Sequence, residues 1–177
     1  MPTRRDEILD AAIWVLGEEG PRGLTHRAVD KALELPLGST ANLFGRRSDL
    51  LAAIVRRMEE LDRALWHRIG GEDSPSDVRY LAQLLVHLVA GTAEEPMART
   101  QRARLHLQLT LPGETAGANR MMVEELRGIL AGIGARPERA PALLAAVDGL
   151  VLRAVTYGRD ALPPQEELLP TLEAIMR

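Results

Sequence analysis

One short segment of the chain carries small polar and basic side chains of the kinds that contact a DNA duplex. The amide of Asn42 can pair with an adenine edge through two hydrogen bonds, and the methyl group of Thr40 can pack against a thymine methyl group. Gly38 would let the backbone approach the duplex closely. Arg46 and Arg47 are expected to contact phosphates, which fixes position without reading sequence. The alternative interpretation is an ordinary solvent-exposed turn.

The sequence around this segment predicts the helices that would position it. Thr25 can cap a short helix, and Leu24 and Val29 occupy the positions of a hydrophobic staple. Pro36 then interrupts the apolar pattern, because it has no amide hydrogen and restricts the residue before it. A second short helix over residues 37–43 is uncharged and rich in small residues, so it would bury little. The pattern therefore predicts a helix-turn-helix that fits a major groove.

This region resembles the DNA-binding end of TetR-family transcriptional regulators. The features that carry the resemblance are the Arg-x-x-Ile-Leu-x-Ala-Ala opening at residues 5–12, Gly-Leu-Thr at residues 23–25, Gly38, Phe44, and the basic entry followed by Leu-Leu at residues 47–51. Three positions depart from the usual pattern, which has Ser at Pro36, an aromatic residue at Ala41, and an aromatic residue or His at Leu43. These departures leave the base preference undetermined. Phe44 is expected to lie in the core of the three N-terminal helices.

The start of the first helix in the pair adds candidates for phosphate contacts. Thr25, His26 and Arg27 lie there, where backbone amide groups attract an anion. Alternatively, Thr25 only caps the helix, and the arginines of the region are solvated surface residues. The complete set of predicted DNA contacts is Thr25, His26, Arg27, Gly38, Ser39, Thr40, Asn42, Arg46 and Arg47.

The charge distribution is consistent with DNA binding even though the chain is acidic overall. Its 177 residues carry a formal net charge of −3. Between residues 22 and 47, however, the only acidic residues are Asp30 and Glu34. The basic residues of this range are Arg22, Arg27, Lys31, Arg46 and Arg47. Because screening limits the reach of each charge to about 8–10 Å at ordinary salt, the local basic excess governs contact with phosphates.

The composition indicates an all-α fold with about nine helices and no strand. Ala and Leu dominate, and runs of β-branched residues are short. We predict a three-helix helix-turn-helix DNA-binding domain over residues 1–47. A long fourth helix joins it to a helical effector-binding and dimerisation domain over residues 48–177. Ser48 is expected to cap that fourth helix, and Gly70-Gly71 to end it.

Residues 104–111 leave two interpretations of the local structure open. Their polar and apolar side chains alternate, which is typical of a strand. An isolated strand would leave its backbone donors and acceptors without partners. Leu105 and Leu109 also share one face of a helix, and the surrounding sequence is helical in character. We therefore predict a helix here.

The second domain lacks the residue patterns of an enzyme or of a metal site. The chain contains no cysteine, and its histidines do not stand at metal-ligand spacings. No catalytic residue, metal or cofactor is predicted. The resemblance instead implies a mostly apolar effector cavity between helices, although ordinary core packing explains each residue equally well. The candidate cavity residues are Met58, Trp66, Leu84, His87, Leu88, Leu105, Gln108, Met121 and Met122.

The last two predicted helices present broad apolar faces. They have more apolar surface than one small domain readily covers, so a four-helix contact between two subunits is predicted. In the family that the chain resembles, dimers use this pair of helices, and the resulting twofold symmetry matches a palindromic operator. The predicted interface residues are Leu143, Val147, Leu150, Val151, Ala154, Leu168, Leu172 and Ile175.

These observations predict a cytoplasmic homodimer that regulates transcription by binding a specific double-stranded DNA operator. The resemblance implies a repressor that a small, mostly apolar effector releases from its operator. Residues 1–10 are too charged for a signal peptide, and no apolar run approaches a membrane-spanning length, so no membrane contact is expected. A helical enzyme would need a polar constellation that the sequence lacks. A helical small-molecule-binding protein without DNA binding is the alternative, but it leaves residues 24–50 unexplained.

Overall fold

The computed structural model describes residues 3–70 and 75–177, and these ranges contain nine α-helices and no β-strand. The helices are α1 (Arg4–Gly23), α2 (His26–Ala32), α3 (Ser39–Leu43), α4 (Arg47–Gly70), α5 (Val78–Thr92), α6 (Met97–Thr110), α7 (Pro112–Gly132), α8 (Ala140–Tyr157) and α9 (Gln165–Met176). The all-α prediction is therefore confirmed. Of residues 104–111, whose alternating pattern left two interpretations open, residues 104–110 are helical as predicted, and Leu111 lies between α6 and α7.

Two predicted helix starts need correction. The helix α3 begins at Ser39 and not at residue 37, because Pro36 to Gly38 form a turn in which the Ser39 amide donates to the Pro36 carbonyl. The helix α4 begins at Arg47, so Ser48 lies inside it and is not its cap. Instead, the Asp49 carboxylate accepts a hydrogen bond from the Arg46 amide at 3.2 Å. At the other end α4 reaches Gly70, whereas Gly71, the second residue of the predicted stop, lies outside the described residues.

The helical path of α1 breaks at Gly20. Gly20 has φ +69° and ψ −177°, a left-handed conformation that favours glycine, and Pro21 follows it. The backbone then leaves the helix at Leu24, which is fully buried. This break turns the chain directly into α2.

The chain divides into two compact units. The first unit comprises Met1–Asp62 and Arg99–Ala116, and the second comprises Arg63–Ala98 and Gly117–Arg177. The first unit therefore extends beyond the predicted domain boundary at residue 47 and includes most of α6. The functional boundary at residue 47 stays a prediction.

In the first unit, apolar residues of α1, α2, α4 and α6 form one core. Phe44, which follows α3, is also in this core, as predicted, and the Arg5 guanidinium lies 5.1 Å from the centre of its ring. The backbones of α1 and α6 approach closely, since a Cβ atom at Gly17 would lie 2.9 Å from the Arg99 carbonyl oxygen. The core positions from α6 are Ala103 and Leu107, both fully buried.

In the second unit, α5 packs against α8 and α9. The segment Pro137–Tyr157, which contains α8, is long and apolar enough to cross a membrane by length and composition alone. This corrects the expectation that no apolar run approaches that length. Only 22% of its most apolar 18-residue window is buried in the chain. The helix α8 is thus an apolar helix that its own chain leaves largely uncovered.

Candidate functional site

The entry into α2 has the geometry that its sequence predicts. The Thr25 hydroxyl oxygen accepts a hydrogen bond from the Ala28 amide at 3.1 Å. Leu24 and Val29, the two residues of the hydrophobic staple, are both fully buried. Together the cap and the staple fix the angle at which the chain enters α2. The Thr25 hydroxyl hydrogen remains available to a second acceptor, as a phosphate contact requires.

A buried carboxylate holds the start of α3. Asp30 on α2 is almost fully buried, and its Oδ2 atom accepts a hydrogen bond from the Gly38 amide at 2.8 Å. Its Oδ1 atom accepts from both the amide and the hydroxyl of Thr40, at 2.8 and 2.6 Å. Burial opposes ionisation of this carboxyl, but these hydrogen bonds outweigh it and lower the pKa of Asp30 below its ordinary value. An ionised carboxylate therefore sets the position of α3 against α2.

The sequence reasoning missed this role of Asp30, which it counted only as one acidic charge. A signal was present, because Asp30 directly follows Val29 and stands at an inward-facing position of a short helix. The structure also shows a role for Gly38 that the sequence did not indicate, which is to adopt the backbone conformation of the turn before α3. Gly38 has φ +92°, a left-handed conformation, and a Cβ atom there would meet nothing within 4 Å. Backbone conformation, and not a lack of space, is what favours glycine here.

The side chain of Thr40 faces inward, which corrects its predicted contact with thymine. Thr40 is fully buried and its hydroxyl is bound to Asp30, so its methyl group does not face solvent. Ser39 is half-buried, and its hydroxyl donates to the Pro36 carbonyl at 2.6 Å. Asn42 is exposed, as a base-reading residue must be. The outer surface of α3 therefore presents Asn42 but not Thr40.

The basic residues of the region differ in what they contact. Arg27 and Arg46 are exposed. Arg47 is exposed as well, but one of its guanidinium nitrogens donates to the Pro21 carbonyl at 2.6 Å, which ties the start of α4 to the end of α1. His26 is half-buried, and its Nε2 atom is buried without a hydrogen-bond partner among the described residues. In this structure the Nε2 atom of His26 is therefore not presented to a phosphate.

Because Asp30 is buried, the surface of residues 22–47 is more basic than the sequence alone indicates. Among residues 22–47, Arg22, Arg27, Lys31, Arg46 and Arg47 are exposed, whereas Glu34 is the one exposed acidic residue. The basic excess estimated from the sequence therefore understates the excess at the surface, because one of its two acidic groups is directed inward. Such a surface attracts a polyanion.

A second feature is a cavity of about 600 Å³ within the second unit. Residues of α4 and α5, the segment leading to Met97, and Arg159 line it. Two of the nine predicted cavity residues, Leu84 and His87, are in this lining. The His87 Nδ1 atom lies 2.8 Å from the Gln83 carbonyl oxygen, which can only accept, so Nδ1 carries the hydrogen of this bond.

The other seven predicted cavity residues do not line this cavity. Met58 is in the core of the first unit. Leu105 and Gln108 belong to the same unit but not to its core. Trp66 and Leu88 pack against the core of the second unit, Met121 is exposed and Met122 is half-buried. The lining is also more polar than predicted, since it contains two arginines and two glutamates, which are Arg68, Arg159, Glu94 and Glu95.

The C-terminal helices divide into an inner and an outer face. Five predicted interface residues are buried within the core of the second unit and so do not form an outer surface; these are Leu143, Val147, Ala154, Leu168 and Leu172. Leu150, Val151 and Ile175 are half-buried. A different row of small and apolar residues is exposed, and it consists of Ala145, Gly149, Leu152 and Thr156 on α8 with Pro170, Thr171 and Ala174 on α9.

Solved structures resemble the chain along its whole length, whereas no protein-family model and no curated protein sequence matches it. SCO1917, a member of the TetR family from Streptomyces coelicolor A3, gives a TM-score of 0.79 at 27% sequence identity, with 99% of each chain covered. The multidrug-binding protein EbrR in complex with malachite green gives 0.78 at 27% identity, again with 99% of each chain covered. EbrR in complex with imidazole gives 0.74 at 28% identity, over 100% of this chain and 97% of the other.

Proposed function

We propose that the chain, which is similar to TetR-family transcriptional regulators over its whole length, is such a regulator and binds a specific operator through α2, the following turn and α3. The observation that carries this proposal is the exposed basic surface around α3, which the buried Asp30 holds in place. Asn42 is the base-reading candidate, and Arg27 and Arg46 bind phosphates. A protein that meets operator DNA in this way works in the cytoplasm.

The working assembly is a homodimer. The exposed row on α8 and α9 is rich in small residues, which lets helices approach closely, and Leu152 supplies an apolar contact. The uncovered apolar character of α8 supports this surface as the place where a second copy binds. A twofold dimer presents two copies of α3 to the two halves of a palindromic operator.

The cavity of the second unit is the proposed effector site. EbrR, the similar protein described above, binds malachite green, a cationic aromatic compound. In this chain Tyr80 and Leu84 give the cavity an apolar wall, and the lining also carries Arg68, Glu95 and the ion pair between Glu94 and Arg159 at 3.2 Å. A compound that combines aromatic rings with a charged or polar group fits this lining better than the mostly apolar effector that the sequence suggested.

Release from the operator results from a difference in the affinity of the effector for two conformations of the protein. The helix α4 contributes residues up to Asp62 to the first unit and residues from Arg63 onward to the second, where Leu65 and Arg68 line the cavity. An effector that binds better to a conformation with low operator affinity shifts the population toward that conformation. Because the coupling is reciprocal, operator DNA weakens effector binding by the same factor. The protein then acts as a repressor that its effector inactivates.

Selection of DNA from a random library by the purified full chain tests the DNA-binding proposal. We expect an enriched palindromic sequence, and its affinity should fall steeply as the salt concentration rises. In Arg46→Ala, the slope of log Kd against log salt should decrease by about 1 per subunit. Arg120→Ala, which removes an exposed arginine of α7, is the matched control and should leave the slope unchanged. A library that shows no enrichment would contradict the proposal.

Malachite green tests the effector proposal. It should raise the melting temperature of the chain by mass action and weaken binding to the selected duplex. Leu84→Arg, which places a bulky cation in the cavity, should abolish both effects while DNA binding persists. If the dye binds without changing DNA affinity, this cavity does not regulate operator binding.

A further inference from the structure

The turn between α2 and α3 exposes one large apolar side chain. Leu37 is 75% exposed, although it follows Leu33 and Leu35, which pack against the core of the first unit. The three leucines alternate along the chain, and the third is directed outward. Single exposed leucines are common on protein surfaces, so exposure alone assigns nothing to Leu37.

The backbone around Leu37 is fixed on both sides. On its C-terminal side the Gly38 amide donates to Asp30 at 2.8 Å. Across it, the Ser39 amide donates to the Pro36 carbonyl at 3.1 Å, and proline restricts its own backbone. Leu37 is therefore presented from a rigid turn and not from a loose loop. A side chain held in this way is suited to contact a partner of defined shape.

The exposed surface of residues 22–47, which includes Leu37, is basic and so suits contact with DNA. It carries exposed Arg27, Lys31 and Arg46, whereas of its two acidic residues Asp30 is directed inward and Glu34 is exposed. Leu43, at the end of α3, is 48% exposed and adds a second apolar group to this basic surface. Within a major groove the 5-methyl group of thymine is the apolar feature that a base pair presents. A leucine has no hydrogen-bonding group, so this methyl group is its favourable partner there.

We propose that Leu37 reads a thymine in each half of the operator by packing its side chain against the 5-methyl group. The inference rests on the proposed DNA-binding function and adds a specificity-determining residue to it. The sequence assigned a thymine contact to Thr40, but Thr40 is buried and bound to Asp30. Of the two exposed leucines on this surface, Leu37 is the more exposed, at 75% against 48% for Leu43, and it supplies the apolar base contact in place of Thr40.

Replacement of thymine by uracil tests this contact, because uracil lacks only the 5-methyl group. The probe is the duplex selected by the full chain, with each thymine replaced in turn in both half-sites. At one position per half-site, the replacement should weaken binding of the unaltered protein roughly fivefold. Leu37→Ala should weaken binding of the thymine duplex by a similar factor and should not respond to uracil at that position. The double-mutant cycle thus isolates the contact between Leu37 and the methyl group.

Leu109→Ala is the matched control, because Leu109 on α6 is 81% exposed and lies outside the turn. It should keep the affinity and the uracil response of the unaltered protein. Equal melting temperatures would establish that Leu37→Ala is folded, as expected for an exposed position. If Leu37→Ala retains the uracil response at every position, the inference is wrong while the DNA-binding proposal stands. If no duplex is selected at all, both are wrong.

Discussion

The two compact units depart from the usual pattern of burial in opposite ways. The first unit buries a charged group, Asp30, and surrounds it with hydrogen-bond donors from Gly38 and Thr40. The second unit leaves an apolar helix uncovered, so that Leu152 is 47% exposed on α8. Burial of a carboxylate is unfavourable unless the carboxylate is fully hydrogen-bonded. An exposed apolar face contributes to stability only when another surface covers it and removes it from water.

The two units therefore differ in what each needs in order to complete its functional surface. In the first unit the polar cluster completes itself within one chain, so that α3, which has only five residues, has a defined position before any partner binds. Short helices are marginal on their own, and here three hydrogen bonds to one carboxylate replace the missing helical length. In the second unit the exposed face on α8 and α9 is the surface that we propose a second copy covers. Under that proposal, operator reading would depend on order within a chain and on contact between chains.

The largest expected effect comes from placing a charge on the uncovered face. Leu152→Glu would bury an unpaired carboxylate in the dimer interface, which costs about 3–5 kcal/mol. We expect a folded monomer by light scattering, with operator affinity reduced by at least about a hundredfold. Leu109→Glu, the same substitution at an exposed leucine of α6, is the control and should remain dimeric. If Leu152→Glu forms a dimer that binds the operator, the interface lies elsewhere.

Removal of the buried charge should have the next largest effect. Asp30→Ala leaves the amides of Gly38 and Thr40 and the Thr40 hydroxyl without their acceptor, which should lower the free energy of unfolding by about 3 kcal/mol. The midpoint of urea denaturation measures this loss. Glu34→Ala, which removes the exposed acidic residue of the same motif, should change stability by less than about 0.5 kcal/mol. Equal effects of the two substitutions would mean that the cluster around Asp30 does not hold α3.

The same cluster predicts a dependence on pH. Hydrogen bonding lowers the pKa of Asp30 in the folded chain against the opposing effect of burial, whereas the unfolded value is about 3.9. The stabilisation is therefore present above the unfolded pKa and is lost as the pH falls through the lower folded pKa. Between pH 5 and 2, roughly the range of carboxyl titration, the free energy of unfolding should fall more steeply for the unaltered protein than for Asp30→Asn. Parallel pH profiles of the two proteins would contradict an ionised Asp30 in the cluster.

Local features of the first unit could be predicted from the sequence, because neighbouring residues determine them. The Thr25 cap, the staple of Leu24 and Val29, and the break at Pro36 all act over a few residues, and each is present in the structure. The role of Asp30 could not be predicted in the same way, because its partners lie eight and ten residues along the chain. Their position depends on how α3 returns to α2, and an acidic residue is rarely buried.

Errors at single residues arose from contacts between residues distant in sequence and from the choice of covering surface. Thr40 was predicted to face a base, but its amide and hydroxyl bind Asp30 on α2, so it lies on the inner face of α3. On α8 the periodicity identified apolar residues correctly but did not say what covers them. Leu143 and Val147 face the core of their own unit, whereas Leu152 is exposed. Apolar periodicity has the same form in both cases.

The smallest predicted effect separates two neighbouring arginines of the basic surface. Arg47 donates to the Pro21 carbonyl, so Arg47→Ala should lower the free energy of unfolding by about 1 kcal/mol, which urea denaturation measures. Arg46 offers an exposed guanidinium, so Arg46→Ala should leave stability unchanged and reduce the salt dependence of DNA binding.

Arg47→Lys is the matched control, because it keeps the charge but not the planar donor geometry. If Arg47→Lys retains full stability and Arg47→Ala loses only DNA affinity, then Arg47 acts as a phosphate contact, as the sequence suggested. If both variants lose stability, the contact with Pro21 is its main role, and the end of α1 and the start of α4 depend on it.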